Sequence, residues 1–532
     1  MMTANSLFID HSKELRPLHV NGSVALGLGG LGSHYPGPES LLDIASIRIA
    51  SNLNLTLEAL RVVPYTLYSS LLSASLATGL CVATKAIVSS WPYTTINLKC
   101  LQGSSWLATT KSLEECHNQI AVTVAMAIGS KENRIQDVDI SCLNLSSESR
   151  EQFLRNLLKG RVGETSPVRK KRKKTVYVHQ SQTCKDFSEL RITMNLCVEG
   201  ADIERHLQLH RELLAARIIV RSKEFCVRYA SADELIEVLQ LDQREGTTAL
   251  LMDYNGIGNS NLEGVLRPVQ NYSLLTRLCL KYNRIDVRSP YASSAIKTLG
   301  TLLQGLPSLR CLGLAGNQLS RSIPEIISRI QQPLLLLDVS NCMLTLEDLH
   351  YLTHSPHSEH LQHLLLGGNF AVGRNWGFVE QLLCRASGSL VELDLTNVCQ
   401  GATQTDVLCG LVKLGPSFLR LKSLELQGNH LTVVEQVDIV LSFVKCPSMA
   451  ALRLSFPLEG KGETWEGMKG RVFSEVLQPH SKSTAIEWFT LTCWTKRAAV
   501  NPSYLNVGSR FMTVIIYEED FLGAQEFHFP IS

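Results

Sequence analysis

At 532 residues, with a formal net charge of +2 and 45% hydrophobic residues, the chain is long for one compact domain and ordinary for a repeat array with end pieces. That near-neutral balance excludes a global electrostatic case for nucleic acid or for a membrane surface. Its 15 cysteines are scattered mostly inside apolar runs with no C-x-x-C pair, which reads as reduced thiols and not as a disulfide framework.

Residues 1–38 carry Gly and Pro and no apolar period, and read as a disordered extension. They lack the charged-then-apolar layout of a signal peptide. The G-x-G-x-x-G at Gly27–Gly32 is followed by Pro36 and Pro38, which forbid the helix a dinucleotide site needs. From 39 to 130 the character is helical. Leu41, Ala45 and Ile49 recur at i, i+4 and i+8 on one helix face, and two further helical stretches lead through Pro64 to Trp91-Pro92. The apolar run from Leu67 to Trp91 is rich in Ser, Thr and Ala and contains Lys85, a composition for core helices and not for a membrane span.

Between 131 and 458 the pattern becomes a repeat. Arg134–Ile140 reads as a first strand, and residues 159–185 as an insertion loop bearing the basic run Arg169–Lys174. That run is a candidate nuclear-import signal or phosphate contact, set against a plainer solvated loop. Leu190–Leu196 restarts the array. The clearest unit is Leu309-x-x-Leu312-x-Leu314-x-x-Asn317-x-Leu319. In a strand of period two, Leu312 and Leu314 share one face. Asn317 stands where the strand ends, placed to bridge free backbone groups of neighbouring turns. Units begin at Thr247, Leu275, Leu309, Leu334, Leu361, Leu390, Leu421 and Met449, a period of roughly 28 residues. Cys342 takes the Asn role in one turn, and Val398 fills it in another. A unit of that size holds a strand inside and a helix outside, and one unit cannot bury its own apolar face. The expected fold is therefore an α/β leucine-rich repeat solenoid, a horseshoe with an N-terminal helical region and a C-terminal cap over 459–532.

Within each unit the residues between the core leucines face the concave surface. That places Leu336, Asp338, Leu365, Glu392, Asp394 and Glu425 on one candidate partner-binding face, with Gly313, Ala315 and Gly367 leaving space between them. Five histidines, His350, His354, His357, His360 and His363, crowd one connection. They straddle a helix end, a Ser-Pro turn and a strand start without a completing carboxylate or thiolate, so the expectation is structural or surface histidines and no metal. No nucleophile, base or phosphate loop stands in a supporting context. Neither enzyme chemistry nor a cofactor is expected.

The block Val63-Pro64-x-x-Leu67-Tyr68-x-x-Leu71-Leu72, followed by Ala86-Ile87-Val88-x-x-Trp91-Pro92-Tyr93, resembles the N-terminal signature of the PRAME family. Leu306–Leu312, Gln332–Cys342 and Leu346–Leu352 with His357 and His360 extend the resemblance, most closely toward that family's leucine-rich repeat-containing protein 14 branch. Tyr65-Thr66 departs from it, standing where the family has a basic-acidic pair. The resemblance implies a substrate receptor of a ubiquitin ligase. In the family a short BC-box helix binds elongin B/C, and Leu41, Ala45 and Ile49 match its positions. The following block, with Pro64 and Leu67, would select cullin-2. The concave face would then present a protein substrate, without nucleic acid or membrane, in the cytoplasm with access to the nucleus. The alternative implied by some relatives is a scaffold or inhibitor in NF-kappa-B or inflammatory-kinase signalling.

Overall fold

The computed structural model describes residues 41–98, 121–162 and 188–454 with short interruptions, together with the backbone of three later strands between 488 and 529. The extension 1–38, the basic run 169–174 with most of the insertion 159–185, and all of 459–487 lie outside the described residues.

Four helices open the described chain, at Leu41–Ala50, Leu53–Val62, Tyr68–Ala77 and Cys81–Ser89. The second is started by Asn52, whose Oδ1 accepts from the backbone N–H groups of Asn54 at 2.9 Å and Leu55 at 3.3 Å. It stops at Val63, which is extended ahead of Pro64. The helices are joined to the repeats by burial of Tyr68, Leu71, Leu72, Ile87 and Val88 in the same core that runs on to Leu454.

Fifteen strands follow in sequence order within one sheet, each hydrogen-bonded to its chain neighbours. They are β1 (Thr95–Asn97), β2 (Asp137–Asp139), β3 (Leu190–Glu199), β4 (Ile218–Arg228), β5 (Ala249–Leu251), β6 (Arg277–Cys279), β7 (Cys311–Gly313) and β8 (Leu336–Asp338). After them come β9 (His363–Leu365), β10 (Glu392–Asp394), β11 (Ser423–Glu425), β12 (Ala451–Arg453), β13 (Trp488–Thr495), β14 (Phe511–Glu518) and β15 (Gln525–Phe529). Pairing is parallel from β1 to β14, and β15 closes the series antiparallel to β14. The strand read at Arg134–Ile140 is β2, and β1 precedes it with Thr95↔Asp137 in register. Between strands the chain returns through helices such as Ile203–Ala215, Ala232–Leu241, Ala292–Gln304 and Trp376–Ala386. The helix Ser147–Val162 runs into the stretch read as loop from residue 159.

The repeats stack in strict register. Leu250, Leu278, Leu312, Leu337, Leu364, Leu393, Leu424 and Leu452 are successive Cα partners, and all are fully or almost fully buried. This is the alternation that the L-x-L pattern dictates, repeated until the core is continuous.

The asparagines seal the turns. Asn317 Oδ1 accepts from the N–H groups of Asn283 and Ile285, both at 3.1 Å, while its Nδ2 donates to Leu280 O and Leu314 O, both at 2.8 Å. Asn283 Oδ1 accepts from the Asn255 N–H and its Nδ2 donates to Met252 O, while Asn369 accepts from the N–H groups of Cys342 and Leu344 and Asn429 from those of Val398 and Cys399. Cys342 serves in the Asn slot with its thiol, which donates to Leu314 O at 3.2 Å. Each is a buried amide or thiol spending its polarity on backbone groups that no strand partner reaches.

Candidate protein-interaction surfaces

The first helix buries the wrong residues for a simple cap. Ser46 and Ala50 are its buried positions, and Ile49 packs half-buried against the core. Leu41 is 85% exposed, Ile44 49% and Leu42 43%, and Ala45 is exposed beside them. A helix serving only to cover a core turns its leucines inward. This one seats small residues on its neighbours and leaves a leucine stripe outside. Of the three residues on the sequence stripe, Leu41 and Ala45 face solvent and Ile49 lies at the edge of the core. The exposed set continues on the next elements: Leu55, Leu57, Val62 at 80% and Tyr65 at 62%. Pro64 is exposed at the start of the single turn Tyr65–Leu67, and Leu67 is half-buried. Large apolar side chains left exposed at this density along one short stretch are what a partner can cover.

The concave face is a second surface. Register sets two rows across it. One runs Cys311, Leu336, His363, Glu392, Ser423, and the other runs Gly313, Asp338, Leu365, Asp394, Glu425, Arg453. All six predicted face residues therefore come together on four adjacent strands. Leu336 and Leu365 are half-buried, and Leu365 sits between the Asp338 and Asp394 strand positions.

Two details differ from the sequence expectation. The small residues do not leave open floor. A side chain at Gly313 would meet Cys279 Sγ and Lys281 Cε at 3.0 Å, because Lys281 lies across it to reach Asp338 Oδ2 at 2.5 Å. A side chain at Gly367 would meet Asp394 Oδ2 at 3.0 Å. At both places a larger residue would have to displace these neighbouring side chains.

Nor are the acids free. Asp338 is buried against Lys281, Glu392 Oε2 meets His363 Nδ1 at 2.8 Å, and Glu425 pairs with Arg453. Burial pulls the Lys281 ammonium down, but Asp338, with Cys279 and Asp253, outweighs it and holds the pKa above the ordinary lysine value. Burial raises the Asp394 carboxyl above its usual range against hydrogen bonds from Thr396 that lower it. Glu425 is likewise raised by burial, with Arg453 opposing and Asp394 and Glu392 adding like charge. Asp394 is bonded locally, its Oδ1 accepting the Thr396 N–H at 2.8 Å.

The histidines divide among local tasks. His357 is buried, with Nδ1 accepting from the Leu334 N–H at 3.4 Å and Nε2 facing Ile327 O at 3.4 Å. His354 bonds His350 O at 2.8 Å, and His363 serves Glu392. Among the described residues no group of three or more His, Cys, Asp or Glu is placed to hold a metal ion, and no helix is long and apolar enough to cross a membrane.

Known proteins match both halves of this architecture. The PRAME N-terminal domain matches residues 38–144, the region of the exposed helices. Leucine-rich repeat-containing protein 14 of Homo sapiens is 28% identical over 241 residues, covering 44% of this chain and 48% of the human protein. Its Xenopus laevis counterpart is 23% identical over 387 residues, covering 67% of this chain and 76% of that protein. The chain thus spans about half the length of the human and bovine relatives it matches. Among solved structures, the leucine-rich repeat-containing protein LegL7 from Legionella pneumophila is 14% identical, covers 66% of this chain and 92% of its own, and superposes with a TM-score of 0.29. The resemblance to the PRAME family, and within it to leucine-rich repeat-containing protein 14, holds.

Proposed function

We propose that the chain, which joins a PRAME-type N-terminal domain to a leucine-rich repeat solenoid, is a protein-interaction module that serves as the substrate-recognition subunit of an elongin B/C–cullin-2 ubiquitin ligase. In this reading the helix Leu41–Ala50 docks on elongin C, with Leu41 inserted in its partner, Ala45 permitting close approach and Ile49 anchoring the helix at the core. The exposed turn at Pro64 and Leu67 meets cullin-2. The concave face, with Leu336 and Leu365 as apolar anchors and Asp338, Glu392, Asp394 and Glu425 around them, takes a protein substrate that presents an apolar ridge flanked by Lys or Arg.

The observation that carries the reading is the inverted burial of the first helix. It holds Leu41 at 85% exposure and buries Ser46 and Ala50. An exposed anchor of this kind gains about 1.5–3 kcal/mol on full burial in a partner, and none of the described residues covers it. The test is affinity capture of the full chain from cells, scored for elongin B, elongin C and cullin-2. Wild type should bring down all three, and Leu41→Ser should lose them while keeping the same melting temperature. Absence of elongins from the wild-type capture, or their retention by Leu41→Ser, removes the ligase reading and leaves an interaction scaffold, such as a brake on NF-kappa-B signalling.

A further inference from the structure

β3 and β4 pair in register at their C-terminal ends, with Cys197 opposite Cys226. The alignment is made by a bulge. Met194 pairs with Ser222, yet Leu196 pairs with Phe225, so β4 carries one extra residue at Lys223–Glu224. Ser222 holds the bulge closed. Its Oγ donates to Glu224 O at 2.6 Å and accepts from the Leu196 N–H at 3.3 Å. Without the bulge Cys226 would point into the core. With it, Cys197 and Cys226 share the concave face, where Cys197 packs half-buried against the cluster of Cys226, Leu251 and Cys279.

Adjacent strands lie about 4.7–4.9 Å apart, inside the Cα separation of roughly 4.4–6.8 Å that a disulfide spans. Cys197 is also reachable. β2 pairs β3 only at residues 191–193, so the Asn195–Glu199 end of β3 has no β2 partner. A cavity of about 340 Å³ opens there, lined by Cys197, Arg150 and His206 among others. The Arg150 guanidinium is fixed at its wall by donating to Asn195 O at 3.0 Å, and Arg228 stands one position beyond Cys226 on the same face.

We propose that Cys197 and Cys226 form a cross-strand dithiol that hydrogen peroxide entering this cavity closes to a disulfide. The Cys226 thiol donates to Cys197 and holds the Cys197 thiol down at about 7, with Arg150 and Arg228 adding to the effect against desolvation and Glu199; Cys226 itself is pushed up. Cys197, half-buried and lining the cavity while Cys226 is buried and does not, is the nucleophile. Its thiolate attacks one peroxide oxygen, the O–O bond breaks, and the sulfur is oxidised to a sulfenic acid while hydroxide leaves and takes up a proton as water. The Cys226 sulfur then attacks the Cys197 sulfur. The S–S bond forms as the S–O bond breaks, and the hydroxyl departs with the Cys226 proton as a second water. Two thiols and one peroxide give one disulfide and two waters. Among the described residues no other two cysteines are direct strand partners: Cys279 is separated from Cys226 by the Leu251 strand, and burial pushes its thiol up to about 11.

The full chain, freshly reduced, is treated with a small excess of hydrogen peroxide, alkylated and mapped by tandem mass spectrometry. The expected result is a Cys197–Cys226 linked peptide formed before the exposed Cys81, Cys384 and Cys409 are consumed, and reversed by dithiothreitol. In Cys226→Ser, dimedone should label Cys197 as a sulfenic acid. In Cys197→Ser, Cys226 should stay reduced at the same dose. Melting curves of both variants check that each is folded. The proposal is overturned if Cys197 and Cys226 remain alkylatable while the exposed thiols oxidise, or if Cys197 pairs with a different cysteine.

Discussion

Replacing Asn317 by Ala should destabilise the horseshoe more than most core deletions, although it removes only one small polar group. Four backbone groups bond the Asn317 amide: the N–H groups of Asn283 and Ile285 and the carbonyls of Leu280 and Leu314. Leu314 O keeps the Cys342 thiol as a donor. The other three lose their side-chain partner in a turn where Asn317 and Asn283 are fully buried. An unsatisfied buried polar group costs about 1–3 kcal/mol. Three of them, partly relieved by relaxation of the turn, come to about 4 kcal/mol. That falls in the upper part of the roughly 2–5 kcal/mol expected for Leu312→Ala at the neighbouring core position. Asn317→Cys should cost about half as much, since Cys342 does the same work one turn on with a thiol. The assay is guanidinium unfolding of the full chain, with hydrogen exchange read at the Asn283 and Ile285 amides. A loss below about 1 kcal/mol with those amides still protected would refute the claim that the amide holds the turn together.

Three further outcomes follow from particular contacts. Lys281→Met strands the buried Asp338 carboxylate, and thermal denaturation should register a loss of about 3 kcal/mol. Burial pushes the fully enclosed His210 imidazole from the usual 6.5 down to about 4. The unfolded chain takes up that proton below 6.5 and the fold only near 4, so stability should fall as pH drops through this window, by up to about 3 kcal/mol. His210→Gln should lessen that slope in pH-dependent denaturation, leaving the share of the neighbouring His206, which burial also pushes down, to about 3. On the concave face, Asp394→Lys should weaken capture of the basic partner at low salt and leave elongin capture unchanged; equal yields at low salt would show that partner recognition lies elsewhere.

The register of the solenoid was legible because Leu312 and Leu314 fix which face of each strand is buried, and the same spacing recurs unit after unit. The sealing role of the asparagines was legible too, since an amide at a strand end has few other uses. What could not be read was how side chains from different units meet. Gly313 in the sequence is only a missing side chain; that Lys281 crosses it to Asp338 depends on three strands being stacked. The ion-pair partners of the acids at 338, 392 and 425, which are Lys281, His363 and Arg453, lie on other units and were not legible for the same reason. β1 escaped notice because three residues around a single buried Ile96 carry no L-x-L signal. Cys226 gives no hint of facing Cys197 until the bulge at Lys223–Glu224 turns it over. The helix at Leu41 shows the limit from the other side. Its period gives a stripe, but only packing tells that Ser46 and Ala50 go inward and Leu41 goes out.

That outward stripe is tested most directly by hydrogen exchange on the full chain with and without purified elongin B/C. The account predicts new protection over residues 41–50, absent in Leu41→Ser, with amides of the repeat strands β5–β11 unchanged. Exchange at 41–50 that is the same with and without elongin B/C, or protection that survives Leu41→Ser, would contradict it.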